Sequence, residues 1–171
     1  MQKVRHFYCS ELITAQENFN KYLKATKPEM NQDIRPYMRN AFRFELGELG
    51  QELGFFKIWR STKQERDQEK IKVEYIDGLC FLFEIAIENG IADHLKAYPV
   101  SYVEKSSGSD SALNDAFEYL FAAKFEEPFG IIEAMGLYLT LGSMLGISQD
   151  DIRETYHAKN KINYERQQNG Y

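Results

Sequence analysis

Two acidic couplets, Glu45-x-x-Glu48 and Glu74-x-x-Asp77, stand in stretches whose apolar residues recur every three or four positions. A spacing of three puts both carboxylates of a couplet on one helix face. Two such helices packed antiparallel bring four carboxylates together. Like charges ~4 Å apart repel by about 4 kcal/mol at an effective dielectric near 20, so an uncompensated cluster is costly. Hard divalent cations remove that cost, and Mg²⁺ takes carboxylate oxygens while keeping waters and substrate phosphates. The couplets therefore point to Mg²⁺ and to chemistry on a phosphorylated substrate. A single E-x-x-E is common on helix surfaces. Here the apolar setting of Phe42, Phe44, Tyr75, Ile76 and Leu79, with no lysine four residues after any of the acids, argues for partly buried carboxylates in need of a cation.

Near the C-terminus, Lys159, Asn163 and Arg166 follow one another at spacings of four and three, again on one helix face. Cation, amide and cation along ~10 Å of helix can track a polyphosphate chain. Lysine serves as a point charge and arginine as a bidentate fork. Alone this is an ordinary solvated face; opposite four carboxylates it is the second jaw of a phosphate clamp. Lys57 and Trp59 follow the first couplet closely and place a cation and an aromatic near that end.

The elements that must hold these groups read as all-α. Only four prolines and eleven glycines interrupt the chain. The spacing predicts a first helix over 9–24, with Leu12, Ile13, Phe19, Tyr22 and Leu23 inward. A second over 36–54 carries a stripe of Met38, Phe42, Leu46, Leu49 and Leu53. A third over 69–88 carries Ile76, Leu79, Phe83 and Ile87 and stops at Asn89-Gly90. A polar link over 61–68 joins the second and third. A short helix ends near Tyr98, and helices over 113–125 and 130–145 follow. Ser148-x-x-Asp151 is a capping box that opens the last helix, which runs to about Gln167. The stretch 130–147 is apolar almost all round, so it is deeply buried or part of an interface.

A length of 171 residues makes one domain over 1–171 the expectation. The net charge of −5 argues against nucleic-acid and anionic-membrane binding, which want a basic face. Cys9 and Cys80 sit far apart in apolar runs and read as small buried hydrophobes. No signal peptide opens the chain, and 131–147 is too short and too polar for a membrane span. A cytoplasmic location follows.

Four segments in order resemble one family: Phe44-Glu45-Leu46-Gly47-Glu48-Leu49-Gly50, Phe56-Lys57-Ile58-Trp59, Val73-Glu74-Tyr75-Ile76-Asp77-Gly78-Leu79, and Tyr156 through Asn163 with Arg166-Gln167 and Gly170-Tyr171. The chain resembles the dimeric dUTPase family of the all-α NTP pyrophosphohydrolase superfamily. The resemblance implies a helical bundle with a four-carboxylate metal site between two helices. It implies a homodimer that hydrolyses dUTP, and dUDP, to dUMP with two or three Mg²⁺ per site, Mn²⁺ substituting.

By that resemblance Glu45, Glu48, Glu74 and Asp77 are metal ligands, and Glu45 by preference also deprotonates the attacking water. Lys159, Asn163 and Arg166 form the phosphate face, with Lys57 added. Gln16 and Asn20 match amides that read uracil, Trp59 an aromatic of the nucleotide pocket, and Phe81 a ring that packs on deoxyribose. An amide offers donor and acceptor to the alternating edge of uracil, and cytosine inverts part of that pattern. Cys80 departs from the family, where histidine is frequent, and 97–128 reads as a variable helical excursion. A dCTP or broader nucleotide pyrophosphohydrolase is the alternative within the same fold. A helical binding protein that engages a regulatory partner is the alternative outside it.

Overall fold

Caps and breakers set the helix boundaries. In the computed structural model, which describes residues 3–62 and 65–170, α1 spans Ser10–Thr26 and a single 3₁₀ turn follows at Pro28–Asn31. Helix α2 spans Arg35–Leu53, with Pro36 in its first turn, where no backbone N–H is needed. It ends on Gly54 at φ 62°, a left-handed stop that glycine takes without strain. Helix α3 (Gln68–Glu88) is opened by the Asp67 side chain, which accepts from the backbone N–H groups of Glu69 and Lys70. After α4 (Ala92–Ala97) and α5 (Asp110–Phe121) come α6 (Pro128–Met144) and α7 (Gln149–Gln168). The Ser148/Asp151 capping box is formed in full at the head of α7.

One feature is not helical. Strand β1 (Lys3–Phe7) pairs antiparallel with β2 (Val100–Glu104), Lys3 opposite Glu104 and Phe7 opposite Val100. The stretch 97–128 is therefore not a helical excursion throughout. It opens with a strand, tied to the rest through Thr140 Oγ1 and Ser143 Oγ of α6, which accept from the Val103 and Lys105 N–H groups. The β-branched Val100 and Val103 with Tyr102 suit an extended segment.

Helices α2 and α3 form the central antiparallel pair, their apolar stripes meeting in the core. Helix α6 seals the far side. There Tyr75 and Tyr138 stack with ring centroids 4.6 Å apart, and each hydroxyl donates to the other's backbone carbonyl (3.1 and 2.8 Å). Gly78 makes room for this clasp: a Cβ there would fall inside the Tyr138 hydroxyl. Among the described residues no single helix is long and apolar enough to cross a membrane, and α6 is mostly core.

Candidate active site

Because α2 and α3 run antiparallel, Glu45 faces the Asp77 end of α3 while Glu48 faces Glu74. Carboxylate oxygens of Glu45, Glu48 and Glu74 lie within 4.8 Å of one another. Ligand oxygens around Mg²⁺, each at ~2.1 Å from the ion, stand about 3 to 4 Å apart, so small side-chain adjustments bring these three into its shell. The donor set is hard and anionic, which fits that ion. Asp77 is turned aside: Lys159 Nζ of α7 donates to its Oδ2 at 2.6 Å, and the pair is largely buried (14% and 18% exposed side chains). Three acids thus converge and the fourth is engaged by the cationic strip. Glu48 is exposed rather than partly buried.

The electrostatics match this crowding. Burial, reinforced by Asp77, Glu48 and Glu74, pushes the Glu45 carboxyl up to about 7. Glu74 is raised by burial and by Glu48 and Asp77. Asp77 is raised by burial even though Lys159 opposes the change. The folded chain holds its acids close at a cost that a dication would relieve.

Beside the acids lies a cavity of about 320 Å³ that Glu45, Asp77, Phe81, Glu84, Lys159 and Asn163 line. Gln16, Cys80 and Arg166 also line it. Cys80 is partly buried, packed against the core while it also lines the cavity, and Cys9 is buried with its thiol on the Leu95 carbonyl. Both thiols are free. Behind Gln16 and Glu84, which line it, Tyr156 Oη donates to Gln16 Oε1 (2.8 Å), and Gln16 Nε2 donates to Asn20 Oδ1 and to Glu84 Oε2 (both 3.1 Å).

Two residues expected at the nucleotide do not line this cavity. Lys57 lines a separate cavity of about 590 Å³ with Arg60, Arg66 and Asp110, its ammonium 5.3 Å from the Phe56 ring. Trp59 is 73% exposed, edge-on to Phe56. Tyr171 lies outside the described residues, as do Lys63 and Gln64 of the polar link.

Sequence reasoning missed Glu84 and Tyr156. The signal for Glu84 was present: it is a lone acid in the apolar run Leu79–Ile87, one turn beyond Phe81 and two beyond Asp77. Tyr156 carries no comparable mark, because its buried hydroxyl is explained only by the fold that brings Gln16 to it.

An acidic seam, with Lys159, Asn163 and Arg166 of α7 lining a cavity beside it, in a helical bundle, fits the class of all-α nucleotide hydrolases. Comparison with known families makes this particular: the dUTPase family model matches residues 8–171, and the chain belongs to that family. Its activity is that of a dUTP diphosphatase. Neither the curated proteins nor the solved structures gave a significant match.

Proposed function

We propose that this chain hydrolyses dUTP, and dUDP, to dUMP in a reaction that requires Mg²⁺, with Mn²⁺ able to substitute. The observation that carries the reading is the convergence of Glu45, Glu48 and Glu74 beside a cavity whose opposite wall is Lys159, Asn163 and Arg166. Glu45, Glu48, Glu74 and Asp77 would hold the metal, which when bound supplies charge neutralisation along the phosphate chain and a more acidic water. Glu45, the most desolvated of the convergent acids, orients the attacking water and takes its proton. Lys159 leaves Asp77 for a phosphate oxygen when the triphosphate arrives, and Asn163 and Arg166 hold the oxygens farther along the strip.

On α3, Asp77, Phe81 and Glu84 share one face over about 10 Å. That order suits phosphate, sugar and base in turn, with Phe81 against the deoxyribose and the Gln16/Asn20 amides at the base. Lys57 and Trp59 line no part of this cavity in their own chain. They act on the nucleotide only through loop closure or through a second protomer. A homodimer is proposed on family grounds, with the exposed Tyr119 and Phe129 beside α6 as its apolar surface.

The test is a turnover panel of dUTP, dUDP, dCTP, dTTP and UTP with Mg²⁺, with Mn²⁺ and with EDTA. Metal-dependent release of dUMP, with dUTP preferred, is expected. Preferred turnover of dCTP would reassign the base, and turnover indifferent to EDTA would remove the metal from the mechanism.

A further inference from the structure

Where Gln16 and Glu84 line the cavity, the hydrogen bonds behind them do not balance. Gln16 is spent: its carbonyl accepts from Tyr156, and its two amide hydrogens go to Asn20 and Glu84. Two atoms remain without partners although fully buried, Asn20 Nδ2 and Glu84 Oε1. Their residues are 4% exposed each. One is a donor and the other an acceptor, and both hang on the same Gln16 amide, so they are neighbours. The Asn20 amide is near enough to steady the Glu84 carboxylate, yet no hydrogen bond closes between the two free atoms. A buried donor or acceptor left unpaired costs ~1–3 kcal/mol, and the folded chain carries two side by side. A buried defect of this kind calls for a physical reason, and a ligand that pairs with both atoms supplies one.

We propose that Glu84 is a specificity-determining residue: its free Oε1 accepts the N3–H of uracil while the free Asn20 Nδ2 donates to a flanking carbonyl oxygen of the base. This deepens the dUTP reading and rests on it. The uracil imide presents one N–H between two carbonyl oxygens, the complement of an adjacent acceptor and donor. Gln16, by contrast, is a positioning residue that aims both groups. Neither free atom meets solvent, and of the two residues only Glu84 lines the cavity, so a base reaches both after a small side-chain shift that opens the floor beside Gln16. With Glu84 ionised, cytosine sets a lone pair at N3 against its oxygen and is disfavoured by repulsion and by the unpaired acceptor, so base preference is compared well above pH 7, where the carboxyl has lost its proton. Phe81, one turn before Glu84 on the same face of α3, sets the distance from this floor to the acids.

The test measures binding without chemistry, by calorimetry with dUMP, dCMP and 3-methyl-dUMP on the wild-type chain, Glu84→Gln and Glu84→Ala. Wild type should bind dUMP at least about 10-fold more tightly than 3-methyl-dUMP, which lacks the N–H. In Glu84→Gln the side-chain oxygen must face the Gln16 amide. Its NH₂ then takes the free position, and preference for dUMP over dCMP should fall by about 10-fold or invert. Glu84→Ala should bind dUMP and 3-methyl-dUMP alike. Equal binding of those two ligands by wild type overturns the proposal, and that result needs no variant to fold. Unchanged base preference in folded Glu84→Gln overturns it too, and would leave Glu84 a buried structural acid. Loss of triphosphate turnover by wild type with dUMP binding intact would instead strike the hydrolase reading and leave Glu84 at the base.

Discussion

Lys159 Nζ sits 2.6 Å from Asp77 Oδ2, so a cation of the proposed phosphate strip already engages an acid of the proposed metal seam. The two roles compete. A lysine this close lowers the local negative potential that draws a dication, and it must swing away for Asp77 to serve as a ligand. Truncation should therefore have opposite effects on two ligands. Lys159→Ala should bind Mg²⁺ several-fold more tightly without nucleotide, because Asp77 is freed. Its KM for dUTP should rise by about 10-fold or more, because a charge-assisted phosphate contact is lost. Metal titration by calorimetry and steady-state kinetics read the two effects separately; weaker binding of both ligands would show that the pair is simply structural.

Glu48 permits a clean removal because it is the exposed member of the convergent three. No core contact depends on it. Glu48→Ala should keep the melting temperature of metal-free protein, or raise it slightly by relieving repulsion with Glu74 and Glu45. Turnover should drop by about 10²-fold or more, as expected for loss of a charged group that acts mainly in the transition state. Near wild-type turnover in a folded variant would remove Glu48 from the site.

The clasp between Tyr75 and Tyr138 lies directly behind Glu74 and Asp77 and fixes α3 against α6. Gly78→Ala drives a methyl into the Tyr138 hydroxyl. Overpacking of this kind costs about 1–3 kcal/mol, roughly 2–10 °C in melting temperature for a chain of this size. Tyr138→Phe alone should cost about 1 kcal/mol for its lost hydrogen bond. Combined, the two changes should cost less than their sum, since phenylalanine removes the atom that the new methyl strikes. Additive losses would mean that the helices separate rather than share that one contact.

Local signals found most of the fold. Periodicity placed α1, α2, α3, α6 and α7, and the Ser148/Asp151 box placed the start of α7, because each depends on residues within a turn of one another. The β1–β2 pair was not legible. Lys3–Phe7 and Val100–Glu104 are each five residues long and support one another across more than ninety positions of chain, so neither segment carries the signal alone. The site divided in the same way. The couplet spacing brought Glu45, Glu48 and Glu74 together, since helix geometry does so once α2 and α3 pack. That Lys159 would reach Asp77, or that Gln16 would spend its amide on Asn20 and Glu84, depends on three helices meeting and is written in no single stretch. Lys57 and Trp59 follow α2 in sequence, yet Gly54 turns the chain out of the helix before them, and they leave the cavity of their own chain.

Stability of the metal-free protein should fall as pH rises across neutrality. Glu45 is held at about 7 by burial and by its acidic neighbours, above its ordinary value of 4.5. A raised carboxyl pKa means that the folded state binds the proton more tightly than the unfolded state does. Its favourable contribution is complete below about pH 4.5 and is lost as pH climbs through about 7. Glu84, also near 7 from burial, adds a loss of the same sign. Acids held low, Asp33 and Asp151 at about 2, act with the opposite sign, but only below pH 4. Melting temperature in EDTA should therefore decline between pH 5.5 and 8. Mg²⁺ bound as proposed would compete with the proton at Glu45 and relieve the repulsion there, so the rise in melting temperature it causes should be larger at pH 8 than at pH 5.5. Glu45→Gln should flatten the EDTA profile only in part, leaving the Glu84 share, and should shrink the Mg²⁺ effect. An equal Mg²⁺ shift at both pH values would place the ion away from Glu45.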